Sequence, residues 1–307
     1  MPPPAPKSPI DRPVMGMVCA LGAFFTFAVM NVMAKLLSET HHVVEIAFYR
    51  NLVAVIPFLI FIYAMGRRDI LVIKSSPKGI IARSILGTVS LAVTFATFAN
   101  LPFADATAFL FTASLIVPVF GYFFLEERVG PYRWGAILIG FMGVLVMVKP
   151  TGDINTFGVS LALSAALMHA TLQTIVRALG KTESPQTVTF YFMFIGTFVC
   201  LIPMPFFFKM PTWEEAPLII GLGATGLLAQ LLLSTAYKYA QASLVTVFNY
   251  SGIIWATLFG WMFWDELPTV WILSGGGIVI ASNIFILYRE QHLARKAKAV
   301  VHEADVL

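Results

Sequence analysis

Apolar residues in this chain come in long unbroken runs, with neither the two-residue alternation of a half-buried strand nor the narrow stripe of a surface helix. Ten such runs, bounded by Pro, Gly and charge, predict helices over 14–37, 43–65, 78–99, 104–125, 132–148, 156–179, 186–208, 216–239, 244–264 and 269–288. At 1.5 Å per residue, about 20 residues cross a hydrocarbon core of ~30 Å. Continuous runs also exclude a closed β-barrel, whose strands alternate lipid-facing and lumen-facing residues. The expected fold class is an all-α integral membrane protein.

Composition leaves little for anything else. Of 307 residues, 58% are hydrophobic and 12% charged, whereas a soluble domain carries roughly a quarter charged residues. The segments between runs are too short for a globular domain outside the bilayer. Cys19 and Cys200 lie far apart within apolar runs, so neither a disulfide framework nor a zinc site is indicated. Residues 1–13 form a Pro-rich tail, followed by a run too long for a secretory h-region and lacking a small-residue cleavage site. The first helix is expected to stay.

Charge speaks about topology. With the N-terminus inside, sixteen of the 20 lysines and arginines, Arg83 among them, fall in cytoplasmic segments. Only Lys35, Lys149 and Lys209 fall outside, and Arg50 lies within a helix. This asymmetry obeys the positive-inside rule, so both termini are expected in the cytoplasm. The net charge of +4 forms no basic stripe with interleaved aromatics, and no nucleic-acid partner is expected.

The chain also repeats itself. A shift of 142 lays Phe48-Tyr49-Arg50 on Phe190-Tyr191-Phe192 and pairs Asn31 with Gln173, Lys35 with Arg177 and Thr40 with Thr182. A shift of 136 pairs Leu86-Gly87 with Leu222-Gly223, Thr94 with Gln230, and residues 103–107 with 239–243. A shift of 139 lays Phe120-Gly121, Phe124 and Glu126-Glu127 on Phe259-Gly260, Phe263 and Asp265-Glu266. Two domains are therefore expected, a five-helix repeat over 1–150 and a second over 151–307, the latter ending in a basic tail at 290–307. Five is odd, so the second copy must enter from the opposite side, the inverted-repeat architecture of secondary transporters.

The five-plus-five repeat, the short loops, the Glu126-Glu127 and Asp265-Glu266 signatures and the Tyr49-Arg50 pair resemble the EamA-type transporters of the drug/metabolite transporter superfamily. The resemblance covers nearly the whole chain. It implies a ten-helix basket in a bacterial inner membrane, its central cavity formed by helices one to four and six to nine, with five and ten at the periphery. It implies transport of a small organic metabolite, whether amino-acid-like, S-adenosylmethionine-like, flavin-like or amphipathic.

Polar groups in mid-helix should face the bundle interior, because exposing them to lipid is costly. Asn31 and its counterpart Gln173 lie on matching faces of the first and sixth helices, and His169 shares the second of these faces. Thr94 and Gln230 match in the third and eighth, Tyr49 and Tyr191 in the second and seventh, and Asn249 and Tyr250 lie in the ninth. These residues, with Arg50, form the candidate substrate site. Any one of them serves equally well as a hydrogen bond between helices. Arg50 either binds an anionic substrate or holds a carboxylate or helix end, the latter favoured. His169 is suited to proton coupling by its ordinary pKa of about 6.5, although a lone histidine is more often packing.

Other features are set aside. Gly221, Gly223 and Gly226 match a dinucleotide fingerprint without the preceding strand, and read better as helix packing. Glu127 and Glu266 read as caps, Glu45 and Asp105 as helix-start charges. His41-His42 near Glu45 lacks a third ligand, so no metal or cofactor is expected. Gly135, Gly140, Gly143 and Gly275-Gly276-Gly277 suggest close packing of helices five and ten, leaving homodimerisation open. An intramembrane group-transfer enzyme would need a nucleophile beside a base, which is not apparent, so the chain is read as no enzyme. A non-transporting scaffold is the remaining alternative. Pro57, Pro118 and Pro203 are candidate bend points.

Overall fold

The computed structural model describes residues 13–125, 130–147, 155–180, 182–239, 245 and 248–304. Most of the Pro-rich tail, the Glu126-Glu127 signature, Lys149 and the start of the ninth run lie outside the described residues. Among those described, every regular element is helical: α1 (Pro13–Leu37), α2 (Val43–Ala64), a 3-10 turn (Arg68–Leu71), α3 (Pro77–Asn100), α4 (Phe103–Leu110), α5 (Ala113–Leu125) and α6 (Pro131–Met147). The second half holds α7 (Thr156–Leu179), α8 (Pro185–Leu201), α9 (Met204–Phe207), α10 (Ala216–Tyr239), α11 (Ser251–Trp264) and α12 (Val270–Ala304).

The chain is a multi-pass membrane protein. Six helical segments are long and apolar enough to cross a bilayer, and four shorter apolar ones (Trp134–Met147, Pro185–Leu201, Ser251–Trp264, Val270–Ile286) fall in the remaining runs. Leu138, Ile139, Met142 and Leu145 of α6 are exposed, a band that suits lipid rather than water.

Helix starts follow local chemistry. His42 caps α2 through its side chain while Glu45 reaches back to the His42 N–H, a reciprocal capping box. Asn155 accepts from the Gly158 N–H at the start of α7, and its amide donates to Asn100 O at 2.9 Å. Pro77, Pro131 and Pro185 open α3, α6 and α8, where the missing N–H has no intrahelical role.

Packing reveals the inversion directly. Helices α2 and α8 are repeat equivalents, yet Phe58 meets Phe190 and Gly196 lies beside Asn51, so they run antiparallel. Helix α1 packs along α10, with Gly22 at Leu232 and Gly221 at Met33, and α3 packs along α7, with Gly79 at Leu179 and Gly158 at Leu101. The repeat maps α1 onto α7 and α3 onto α10, so exchanging the halves turns one pair into the other. The sixth and twelfth helices pair at the periphery, where a Cβ on Gly143 would lie 2.7 Å from Gly275 O and one on Gly275 2.5 Å from Gly143 O.

The fourth run, expected as one helix, breaks at Phe111–Thr112, and a turn at Tyr250 precedes α11 in the ninth. Shifting by 139 lays Phe111 on Tyr250. The Ser114 hydroxyl donates to Phe111 O at 2.6 Å and that of Ser251 to Phe248 O at 2.6 Å, diverting carbonyls near each break. The two ring systems touch, edge to face, with centroids 5.6 Å apart. The seventh run likewise ends its main helix at Leu201, with Pro203 preceding the short α9.

Candidate functional site

The interior between the halves is lined by polar groups from several helices. On α3 the Thr94 hydroxyl donates to Ser90 O at 2.8 Å, which spends its only proton. Its contact of 3.1 Å with His169 Nε2 on α7 is then an N–H of the histidine donating to Thr94, which puts the neutral imidazole's proton on Nε2.

The remaining expected site residues scatter more widely. Asn31 and Gln230 are half-buried on the adjacent helices α1 and α10, whereas Gln173 on α7 is exposed. Asn249 is half-buried beside the break, and Tyr250 packs on Phe111. Tyr191 donates its hydroxyl to Leu71 O at 2.8 Å, tying α8 to the 3-10 turn. Tyr49 lies edge-on to His41, ring centroids 6.2 Å apart, and its buried hydroxyl has no hydrogen-bond partner among the described residues.

Arg50 is 1% exposed and donates from Nη1 to Asn51 Oδ1 at 2.9 Å. Its guanidinium carbon lies 5.3 Å from the Phe192 ring centroid, and that of Arg83 lies 4.1 Å from the same ring. The sequence reading missed Arg83, Asn51 and Phe192, having counted Arg83 only as a topology-setting charge. The one signal available was that Arg83 falls five residues inside a predicted helix. Close by, an apolar cleft of about 280 Å³ between α2, α3 and α8 reaches Thr88.

Each end of the bundle is tied by charge. At one end Lys35 contacts both oxygens of Glu266 at 3.0 Å, donates to Leu101 O at 3.2 Å and lies 4.5 Å from the Trp264 ring centroid. Glu266 also accepts the Phe103 N–H at 2.9 Å. Its aim follows from Asp265, whose left-handed backbone (φ 54°) turns the chain so that the Glu266 N–H returns to Gly260 O and closes α11. Glu266, expected as an electrostatic cap on the helix that follows it, forms one half of an ion pair between the repeats.

Glu45, beyond its capping role, is fully buried and accepts the Lys209 N–H at 2.7 Å. His41 bridges it to Glu215, with nitrogen–oxygen distances of 3.3 and 3.2 Å. Backbone N–H of Thr212, then the Thr40 hydroxyl, hold the Glu215 carboxyl down at about 2. At the α8 entrance Glu183 accepts the backbone N–H groups of Lys74, Ser75 and Ser76, which hold its carboxyl below the usual range. No trio of His, Cys, Asp or Glu that could hold a metal occurs among the described residues.

Known proteins are similar to this chain over most of its length. The pseudopaline exporter of Pseudomonas aeruginosa is 29% identical over 278 residues, spanning 90% of this chain and 96% of that protein. The riboflavin transporter of Vibrio cholerae is 25% identical over 298 residues, spanning 94% and 98%. A crystal structure 16% identical in sequence superposes with a TM-score of 0.63 over 91% of this chain and 97% of its own, a likeness of fold alone. Residues 14–149 and 156–288 each match one family, once per repeat, and the chain accordingly belongs to the EamA-like transporter family.

Proposed function

We propose that this protein is a secondary-active transporter that moves a small organic metabolite across a bacterial inner membrane by alternating access through ten helices, with both termini cytoplasmic. One observation carries the reading: the helix pairs joining the halves exchange into one another under the repeat, and the two broken helices meet at Phe111 and Tyr250. Interrupted helices in matching positions of inverted halves are where transporters of this architecture place substrate. The relatives named as an exporter and a transporter of metabolites support the class of cargo.

Asn31, Tyr49, Arg50, Thr94, His169, Gln173, Tyr191, Gln230, Asn249 and Tyr250 form the proposed substrate chamber. The Lys35–Glu266 pair acts as the closure at one end. By the repeat, Arg177 and Glu127 hold the corresponding places in the sequence. Proteoliposomes containing the purified protein test the reading: saturable flux of at least one metabolite from a panel of amino acids, flavins and nucleoside conjugates is expected. Absence of any saturable flux, together with both ends mapping to opposite faces of the membrane, would remove it.

A further inference from the structure

Two cations from the first half converge on one ring of the second, and no described carboxylate pairs with them. Arg50 of α2 and Arg83 of α3 both lie over Phe192 of α8. Among the described residues, no carboxylate lies within 4.0 Å of either guanidinium. A cation within a bilayer is costly even by the milder scales, and here two lie over one ring. Cation–π contact with Phe192 offsets part of this, but it supplies no oxygen acceptor for the N–H edges of the guanidinium groups.

Those edges are the informative part. Arg50 Nε, Arg83 Nε and Nη1, and Asn51 Nδ2 are all buried without an acceptor among the described residues. Every orphaned atom of the cluster is a donor, so the group that fits is an acceptor, and the two unpaired cations favour an anionic one.

Arg83 could have avoided burial. It sits seven residues into α3, and side chains in helices lean toward the N-terminus, so its stem is suited to reach the nearby membrane surface. Instead its Nη1 lies 2.8 Å from where a Cβ on Gly87 would be, one turn deeper into the bundle. Neighbouring helices make room in the same way. A Cβ on Gly226 of α10 would come within 2.8 Å of Arg50 Nε, and one on Gly196 of α8 within 2.7 Å of Asn51 Nδ2. The Gly226 of the false dinucleotide fingerprint thus has a role, admitting Arg50 between α2 and α10.

We infer that Arg50 and Arg83, aided by the Asn51 amide, bind an oxyanion of the transported metabolite, a carboxylate or phosphate group, an inference that rests on the transporter reading. The site carries its positive charge unpaired until cargo arrives. Neutral metabolites can accept hydrogen bonds there but lack the negative charge that would offset the two guanidinium groups.

Thermal unfolding of the detergent-solubilised protein tests binding, with sodium citrate, sodium phosphate and sodium chloride as probes at matched ionic strength. Citrate or phosphate at millimolar concentration is expected to raise the unfolding midpoint, the larger shift assigning carboxylate or phosphate, while chloride leaves it unchanged. An equal shift with chloride marks an adventitious anion and overturns the inference. Arg50→Gln and Arg83→Gln should each weaken the response about tenfold or more, while without probe they unfold at or above the wild-type temperature, because each removes an uncompensated charge. If instead both variants unfold well below wild type, the arginines are structural and the inference falls. Arg50→Lys, which keeps charge but loses the fork, should fold and still lose most of the citrate response. Flux separates this from the transporter reading. Acids and their methyl esters moving equally well would sink the oxyanion site and leave transport standing. Arginine-dependent binding without flux of any compound would do the reverse.

Discussion

Glu45 and Glu183 perform the same task at opposite ends of the bundle. Each lies at the entrance of the second helix of its half and accepts backbone N–H groups from the loop leading into the third helix of the other half, Lys209 in one case and Lys74 to Ser76 in the other. Because α2 and α8 run antiparallel, the two latches close opposite faces. A transporter that opens one face at a time needs separable ties of this kind.

Two loop carboxylates at the ends of the bundle should make stability depend on acid. Glu183 and Glu215 are both depressed from an unfolded value of 4.5, Glu215 to about 2. A depressed carboxyl contributes stability that is complete above the unfolded value and is lost as pH falls through the folded one. The unfolding midpoint should therefore drop between about pH 5 and pH 2, and the double variant Glu183→Gln with Glu215→Gln should flatten that slope. An unchanged slope would show Glu183 and Glu215 to be energetically idle.

Gly143 and Gly275 cross backbone to backbone, so Gly143→Val or Gly275→Val should destabilise by about 3 kcal/mol or separate α6 from α12. Nothing lies within 4 Å of a Cβ on Gly277, so Gly277→Ala should be neutral or stabilising by up to about 1 kcal/mol through helix propensity. Thermal unfolding of the three variants side by side checks both signs.

Lys35 serves Glu266, Leu101 O and the face of Trp264 at once. Lys35→Met should cost about 2 kcal/mol, less than a fully buried pair because Glu266 keeps contact with water. Glu266→Gln, retaining an acceptor for the Phe103 N–H, should cost less. A double-mutant cycle should return a coupling of about 1 kcal/mol. Additive effects would deny the pair a closing role.

Thr94→Val removes the acceptor of the His169 N–H. A loss of about 1 kcal/mol in stability is expected, with a raised KM if the two groups line the chamber. Asn31→Ala, Gln173→Ala and Gln230→Ala should likewise weaken ligand-induced stabilisation without unfolding the bundle. Flux assays that find all four variants indistinguishable from wild type would clear the proposed chamber of any role.

The sequence alone was enough for the class of molecule and its repeat, since both reside in properties summed over many residues. Ten apolar runs, the offset of Asn31 to Gln173 and the Glu126-Glu127 and Asp265-Glu266 signatures survive local variation. The breaks at Phe111 and Tyr250 were not legible, because a hydroxyl that diverts a carbonyl looks in sequence like one that merely packs. Nor was the partnership of Arg83 with Arg50. They stand 33 positions apart and have no matching cations in the second half, where Phe192 takes the place of Arg50.

Lipid as solvent dictates which stretches become helices, because each must satisfy its own backbone hydrogen bonds, and that demand is local and written along the chain. Which helix faces which neighbour is decided by side chains meeting across the bundle, where Gly87 and Gly226 yield space to the two arginines, Gly196 yields it to Asn51, and Glu266 finds Lys35. Those contacts join residues as much as 231 positions apart, and only the folded arrangement brings them within reach of one another.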